Sequence, residues 1–135
     1  MHNEHETLEA DFSEHFLEMA FCTDLRKQPN TFHGYGKKER NCGDALEIFV
    51  DICDNVIIKL HYYSNGCFST NACGNALAKL VVNKTITEAH SITPEDVAAF
   101  LETLPPHEFH CAEMAVAALY LALDNYHCHN KEQKP

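Results

Sequence analysis

Asp44-Ala45-Leu46-Glu47-Ile48-Phe49-Val50-Asp51, then Asp54-Asn55, then Val56-Ile57-Ile58-Lys59-Leu60-His61-Tyr62-Tyr63 is the stretch that decides the fold class. The first run alternates and places Ile48 and Val50 among β-formers. The second is rich in β-branched and aromatic residues, which suit a pleated, half-buried surface. Asp-Asn is a turn signal, so the two runs predict an antiparallel hairpin. Upstream, residues 23–40 are polar and hold Pro29, Gly34 and Gly36. They read as a loop with a short strand near 35–40. Residues 7–21 read as a helix, because Leu8, Phe12, Phe16 and Met19 form one apolar stripe among acids.

Downstream, Gly66 breaks the strand pattern, and residues 72–82 read as a helix with Ala76, Leu77, Leu80 and Val81 on one side. Thr85-Ile86-Thr87-Glu88 has the pattern of a capping box and predicts a short helix. Thr93-Pro94-Glu95-Asp96 offers an N-cap, a proline at the first helical position and acids in the first turn, so residues 94–103 form another. Leu104-Pro105-Pro106 ends it. A last helix, rich in Ala and Leu, runs from about 107 to 126. Helix, strands and then helices in blocks argue for an α+β fold rather than an alternating parallel sheet. The 135 residues fit one domain spanning 1–135, with 1–6 and 127–135 as flexible tails.

Composition narrows the function. Twenty acidic against ten basic side chains give a formal charge of −10, which argues against nucleic-acid binding, since phosphate contact needs clustered Lys and Arg. The one basic knot, Lys37-Lys38-Glu39-Arg40, reads as a solvated loop. No apolar run approaches the roughly 20 residues that span a bilayer, so no membrane partner is expected. The acidic start Met1-His2-Asn3-Glu4-His5-Glu6 has no apolar core of a secretory signal. A cytoplasmic protein is the expectation. Seven cysteines are many for such a protein, and a reducing compartment disfavours disulfides, so several are expected to act as ligands or nucleophiles.

Three cysteines stand at junctions between elements. Cys42 lies in Asn41-Cys42-Gly43-Asp44, Cys67 in Asn65-Gly66-Cys67, and Cys111 directly after His110. In a strand Asp44 shares a face with Cys42, where a carboxylate either ligates a metal or acts as a base. As a lone residue it would sooner simply end a turn; beside Cys42 the two readings weigh evenly. Cys67 and Cys111 both fall near helix starts, where unsatisfied N–H groups favour a thiolate. His110 offers a ring nitrogen. There is no Cys-x-x-Cys pair, so the tertiary fold would have to assemble such a site, unlike a zinc finger or ribbon. Three thiols with an imidazole and a carboxylate suit zinc or iron–sulfur chemistry. Cys22, Cys53 and Cys73 read as structural, Cys73 with a secondary possibility as a sulfur acceptor, and Cys128 as part of the tail.

Cys42-Gly43-Asp44 before an alternating strand, Gly66-Cys67 after the next, the Leu104-Pro105-Pro106 break and His110-Cys111 opening a helix resemble, in this order, the IscU/NifU N-terminal type of iron–sulfur cluster assembly scaffold. The resemblance covers roughly residues 41–126. It implies a small antiparallel sheet of about three strands packed on one face by helices. It also implies a carrier rather than an enzyme. A 2Fe-2S cluster would be built transiently on Cys42, Cys67 and Cys111, with His110 or Asp44 at the fourth position, and handed to acceptor apo iron–sulfur proteins. Sulfur would come from a cysteine desulfurase, and Zn2+ could occupy the same residues. Two other readings share these residues: a zinc-bound sulfur acceptor acting as sulfurtransferase partner of a desulfurase, and a structural zinc module for protein interaction. The chain also departs from the family pattern. Gln28-Pro29-Asn30-Thr31 stands where an Asn-Pro-Arg-Asn-like loop is usual, and Phe68 stands where a small residue is common. Leu104-Pro105-Pro106-His107-Glu108 replaces the usual Leu-Pro-Pro-Val-Lys, exchanging a cation for an anion, which argues against a dedicated Hsp70 chaperone as partner.

Overall fold

The computed structural model describes residues 12–40, 43–65 and 67–133, with side chains through residue 127. The hairpin is present as β2 (Ala45–Cys53) and β3 (Val56–Ser64), joined by Asp54-Asn55. Both turn residues have positive φ, 53° and 65°, the left-handed pair that a two-residue hairpin of matching twist requires. β1 (Gly34–Glu39) pairs antiparallel with β2, giving a three-stranded sheet of order β1-β2-β3. Leu46, Ile48, Val50 and Ile52 point to the core from β2. A register shift at Asp51/Ile52 re-phases β3, so that Ile57, Leu60 and Tyr62 are buried while Ile58 is exposed.

Helices cover one face. α1 (Glu14–Phe21) and α2 (Phe68–Val81) pack together, and α2 lies over β3. α3 (Ile86–Ala89) and α4 (Pro94–Leu101) follow, each started by a complete capping box at Thr85 and Thr93. A 3-10 turn (Pro106–Glu108) leads into α5 (Phe109–Gln133), which lies along β1 and β2. The approach of α5 is close because β1 carries glycine there: a Cβ on Gly36 would strike the carbonyl of Ala118. Cys111, Ala115, Ala118 and Ala122 form the buried stripe of α5. On the other face Phe49 is covered by Phe32 and Tyr35, with ring centroids 5.2 and 5.1 Å away.

Several boundaries differ from the sequence reading. The expected helix over 7–21 does not run through Ser13, which caps α1 by accepting from the Phe16 amide at 3.0 Å; residues 7–11 lie outside the described residues. α2 begins at Phe68 rather than 72, because Cys67 ends the strand exit and the helix needs no side-chain cap to start. α4 ends at Leu101 rather than 103, where Glu102 takes a φ of 68°. α5 starts two residues later than expected, after the 3-10 turn. It continues past Tyr126 to Gln133, since nothing in Lys131-Glu132-Gln133 opposes a helix. The expected loop over 23–40 is partly ordered against the sheet. Leu25 and Lys27 exchange backbone bonds with Tyr62, and Arg26 donates to the Ser64 carbonyl at 2.6 Å, shielding the free edge of β3.

Candidate metal centre

Three chain segments meet at one end of the sheet: the β1–β2 loop, the β3–α2 junction and the turn into α5. Asn65, the residue after β3, ties the first two. Its Oδ1 accepts from the Ala45 amide at 2.8 Å and its Nδ2 donates to the Gly43 carbonyl at 3.2 Å. The β1–β2 loop is closed by Arg40 N–H to Asp44 O at 2.8 Å and Gly43 N–H to Arg40 O at 2.9 Å. Asn65 thus holds Gly43 and Ala45 beside the junction that carries Cys67. Cys42 itself lies outside the described residues.

Cys67 is the N-cap residue of α2, exposed, and makes no capping bond with its side chain. One turn on, the buried Thr70 hydroxyl lies 3.9 Å from Cys67 Sγ and 3.5 Å from Cys111 Sγ. Cys111 is in the first turn of α5 and fully buried. Its thiol donates to Glu108 Oε2 at 3.7 Å. The sulfurs of Cys67 and Cys111 and a carboxylate oxygen of Glu108 all lie within 4.8 Å of one another. His110 Nε2 stands 3.7 Å from Glu108 Oε2, both side chains about three-quarters buried.

The helix-start argument for Cys111 fails in the metal-free protein. Burial pushes this thiol up to about 12 from an ordinary 9.0, helped by the nearby Cys67 and Glu108, and the Thr70 hydroxyl offsets only part of it. Desolvation outweighs the helix dipole because Cys111 sits on the core stripe of its helix. Cys73, at the centre of α2, is also fully buried, and burial holds its thiol well above the ordinary range.

Of the five expected site residues, Cys67 and Cys111 come together. His110 reaches the set through Glu108. Asp44 is half-buried, caps the β1–β2 loop with its backbone carbonyl, and is not one of the three grouped donors. Sequence reasoning missed Thr70 and Glu108. The signal for Glu108 was available: it lies three residues before Cys111 across a helical turn, on the same side. Phe68 packs in an aromatic cluster with Phe12, Phe16 and Phe21. Cys22 is half-buried and Cys53 exposed, both with free thiols; the side chain of Cys128 lies outside the described residues.

Two sulfurs and a carboxylate form a donor set that fits a thiophilic cation such as Zn2+ or Fe2+. Sulfurs sharing one tetrahedral ion stand about 3.8 Å apart, so the set closes on an ion by side-chain rotation. Among the described residues no helix is long and apolar enough to cross a membrane.

Known proteins bear on the same geometry. Two archaeal relatives, among them iron-sulfur cluster assembly scaffold protein IscU 1 of Archaeoglobus fulgidus, are 34% identical over 85 residues. The match covers 63% of this chain, which spans only 56% of those proteins. The iron-sulfur cluster assembly protein IscU of Plasmodium falciparum is 31% identical over 109 residues, covering 73% of this chain and 67% of that one. The N-terminal part of a NifU-like protein from Brucella abortus shares the fold, with a TM-score of 0.71 at 12% identity over 92% of this chain and 97% of the other. Residues 26–133 match the family described as NifU-like N terminal domain, and the chain belongs to that family.

Proposed function

We propose that this chain is a scaffold on which an iron–sulfur cluster is assembled and then passed to acceptor apo-proteins. The observation that carries the reading is the approach of the Cys67 and Cys111 sulfurs to one carboxylate, in a chain whose relatives include named cluster assembly scaffolds. Cys42, Cys67 and Cys111 are the thiol ligands in this reading, the cluster is 2Fe-2S, and the resemblance offers His110 or Asp44 for the fourth position. The residues divide the work. Exposed Cys67 is the point of arrival. Buried Cys111 is the floor, and it gives up its proton on ligation. Thr70 stands between them and hydrogen-bonds the Cys111 sulfur, whose thiol burial has pushed up to about 12. A site with three thiols and a weaker fourth donor binds less tightly than four thiolates, which suits transfer. The chain acts as a carrier without catalysis of its own, in a reducing cytoplasm, with a cysteine desulfurase as sulfur source.

Anaerobic reconstitution of the full chain with iron and sulfide tests this. The wild type develops the visible absorbance of a cluster, and Cys67→Ser and Cys111→Ser each lose most of it. A Cys67→Ser/Cys111→Ser double variant that still forms a full cluster overturns the reading. Tightly held zinc with a persulfide on one cysteine favours the sulfur-acceptor role instead.

A further inference from the structure

We infer that Glu108 is a direct ligand of this site, the oxygen donor of a two-sulfur, one-oxygen set for a divalent thiophilic cation, with His110 as the positioning residue that holds its carboxylate. The inference rests on the scaffold reading for its context but not for its geometry. Glu108 ends the 3-10 turn, whose start is fixed by Pro105 and Pro106. That turn brings its carboxylate to within 4.8 Å of both sulfurs. The side chain is 23% exposed, and its recorded partners are the Cys111 thiol at 3.7 Å and His110 Nε2 at 3.7 Å. The first is a weak sulfur hydrogen bond and the second an ion-pair contact beyond hydrogen-bond reach, so the carboxylate is held beside the sulfurs by contacts weaker than a metal bond. A cation placed among the three donors binds that carboxylate directly, and each thiol releases its proton to solvent. Asp44, the carboxylate that the sequence suggested, is not grouped with these donors. The lysine that usually occupies the Glu108 position could not serve this role, because an ammonium has no lone pair to offer. This chain therefore carries an extra hard ligand, which favours holding a single ion, the first iron or a resident zinc, ahead of a cluster.

The test measures Zn2+ affinity of the full chain by competition with a chromophoric chelator, and the absorption of the Co2+ form. Glu108→Gln keeps the shape and still accepts from Cys111, so the metal-free variant melts with the wild type. Its Zn2+ affinity falls at least ~10-fold, and the Co2+ ligand-field bands shift. Glu108→Asp recovers part of the affinity, and His110→Ala loses less than Glu108→Gln. An affinity for Glu108→Gln within twofold of the wild type, with an unchanged Co2+ spectrum, overturns the assignment. If Cys67→Ser and Cys111→Ser still abolish binding in that case, the scaffold reading stands without it. A wild-type chain that binds neither ion overturns both.

Discussion

The two ends of the sheet are fastened by different means. At the end away from the cysteines, the hairpin turn and the α2–α3 connection are joined by main chain. Ile57 N–H donates to Lys84 O at 2.9 Å, Asn83 N–H to Ile57 O at 2.7 Å, and Ile86 N–H to Asn55 O at 2.9 Å. At the cysteine end, the ties between segments among the described residues are made by side chains: Asn65 to the β1–β2 loop, and Thr70 from α2 to Cys111 on α5. Main-chain ties depend on no particular side chain and stay fixed. Side-chain ties can be remade by rotation, which is what a site that takes up and releases its cargo requires. In the proposed reading, the main-chain end holds the fold and the side-chain end is left to rearrange around its cargo.

The substitution with the largest expected effect breaks the element that joins the two ends. Gly36→Ala forces a methyl group against the Ala118 carbonyl and pushes α5 off β1. The expected cost is about 1–3 kcal/mol in denaturant unfolding, together with weaker metal binding, because Cys111 rides on α5. Thr85→Ala follows. It removes one half of a capping box at the main-chain end, so about 1 kcal/mol of stability is lost while Zn2+ affinity stays at the wild-type value. A fall in affinity here would mean that the ends are not independent. Asn65→Ala is the converse. It melts within about 1 kcal/mol of the wild type, yet its metal affinity falls roughly 10-fold, as expected for a residue that orients ligands without touching the ion. Unchanged affinity in Asn65→Ala would show that the two loops are held together by something else.

The same contrast explains what the sequence made legible. The hairpin, its Asp54-Asn55 turn and both capping boxes were readable because each is written in a handful of adjacent residues. Sequence reasoning singled out Cys67 and Cys111 by their places at element junctions and their order along the chain, and the structure brings their sulfurs together. That reasoning did not find Thr70, whose role depends on meeting a residue 41 positions away. Nor did it place Glu108, which registered only as a charge exchanged for lysine. The expectation of a thiolate at Cys111 failed for a related reason. The helix start argued for ionisation, whereas the Cys111-Ala115-Ala118-Ala122 stripe, already present in the sequence, places the thiol on the face turned to the core. Short-range signals about a helix terminus lost to the phase of the whole helix.

That burial has a consequence in alkali, the smallest of the expected effects and the one that separates the metal-free from the loaded protein. Cys111 holds its proton up to about 12 in the native state against an ordinary 9.0, and burial likewise raises Cys73 and carries Tyr62 to about 12 from 10.0. An acid with a raised native pKa loses its proton first in the unfolded chain. Stability from this source is therefore complete below about pH 9 and drains away as pH climbs from 9 toward 12. In the proposed reading bound metal would hold Cys111 as thiolate, so the loaded protein should lose less over the same interval, with Cys73, Tyr62 and Tyr35, all raised by burial, still contributing. Urea midpoints of both forms between pH 8 and about 10.5 measure this. A steeper fall for the metal-free chain than for the loaded one, with metal-free Cys111→Ala falling less steeply than the metal-free wild type, is the expected result. Parallel curves would mean that the Cys111 thiol is not the proton that metal displaces, and the buried floor of the site would have to be assigned to another donor.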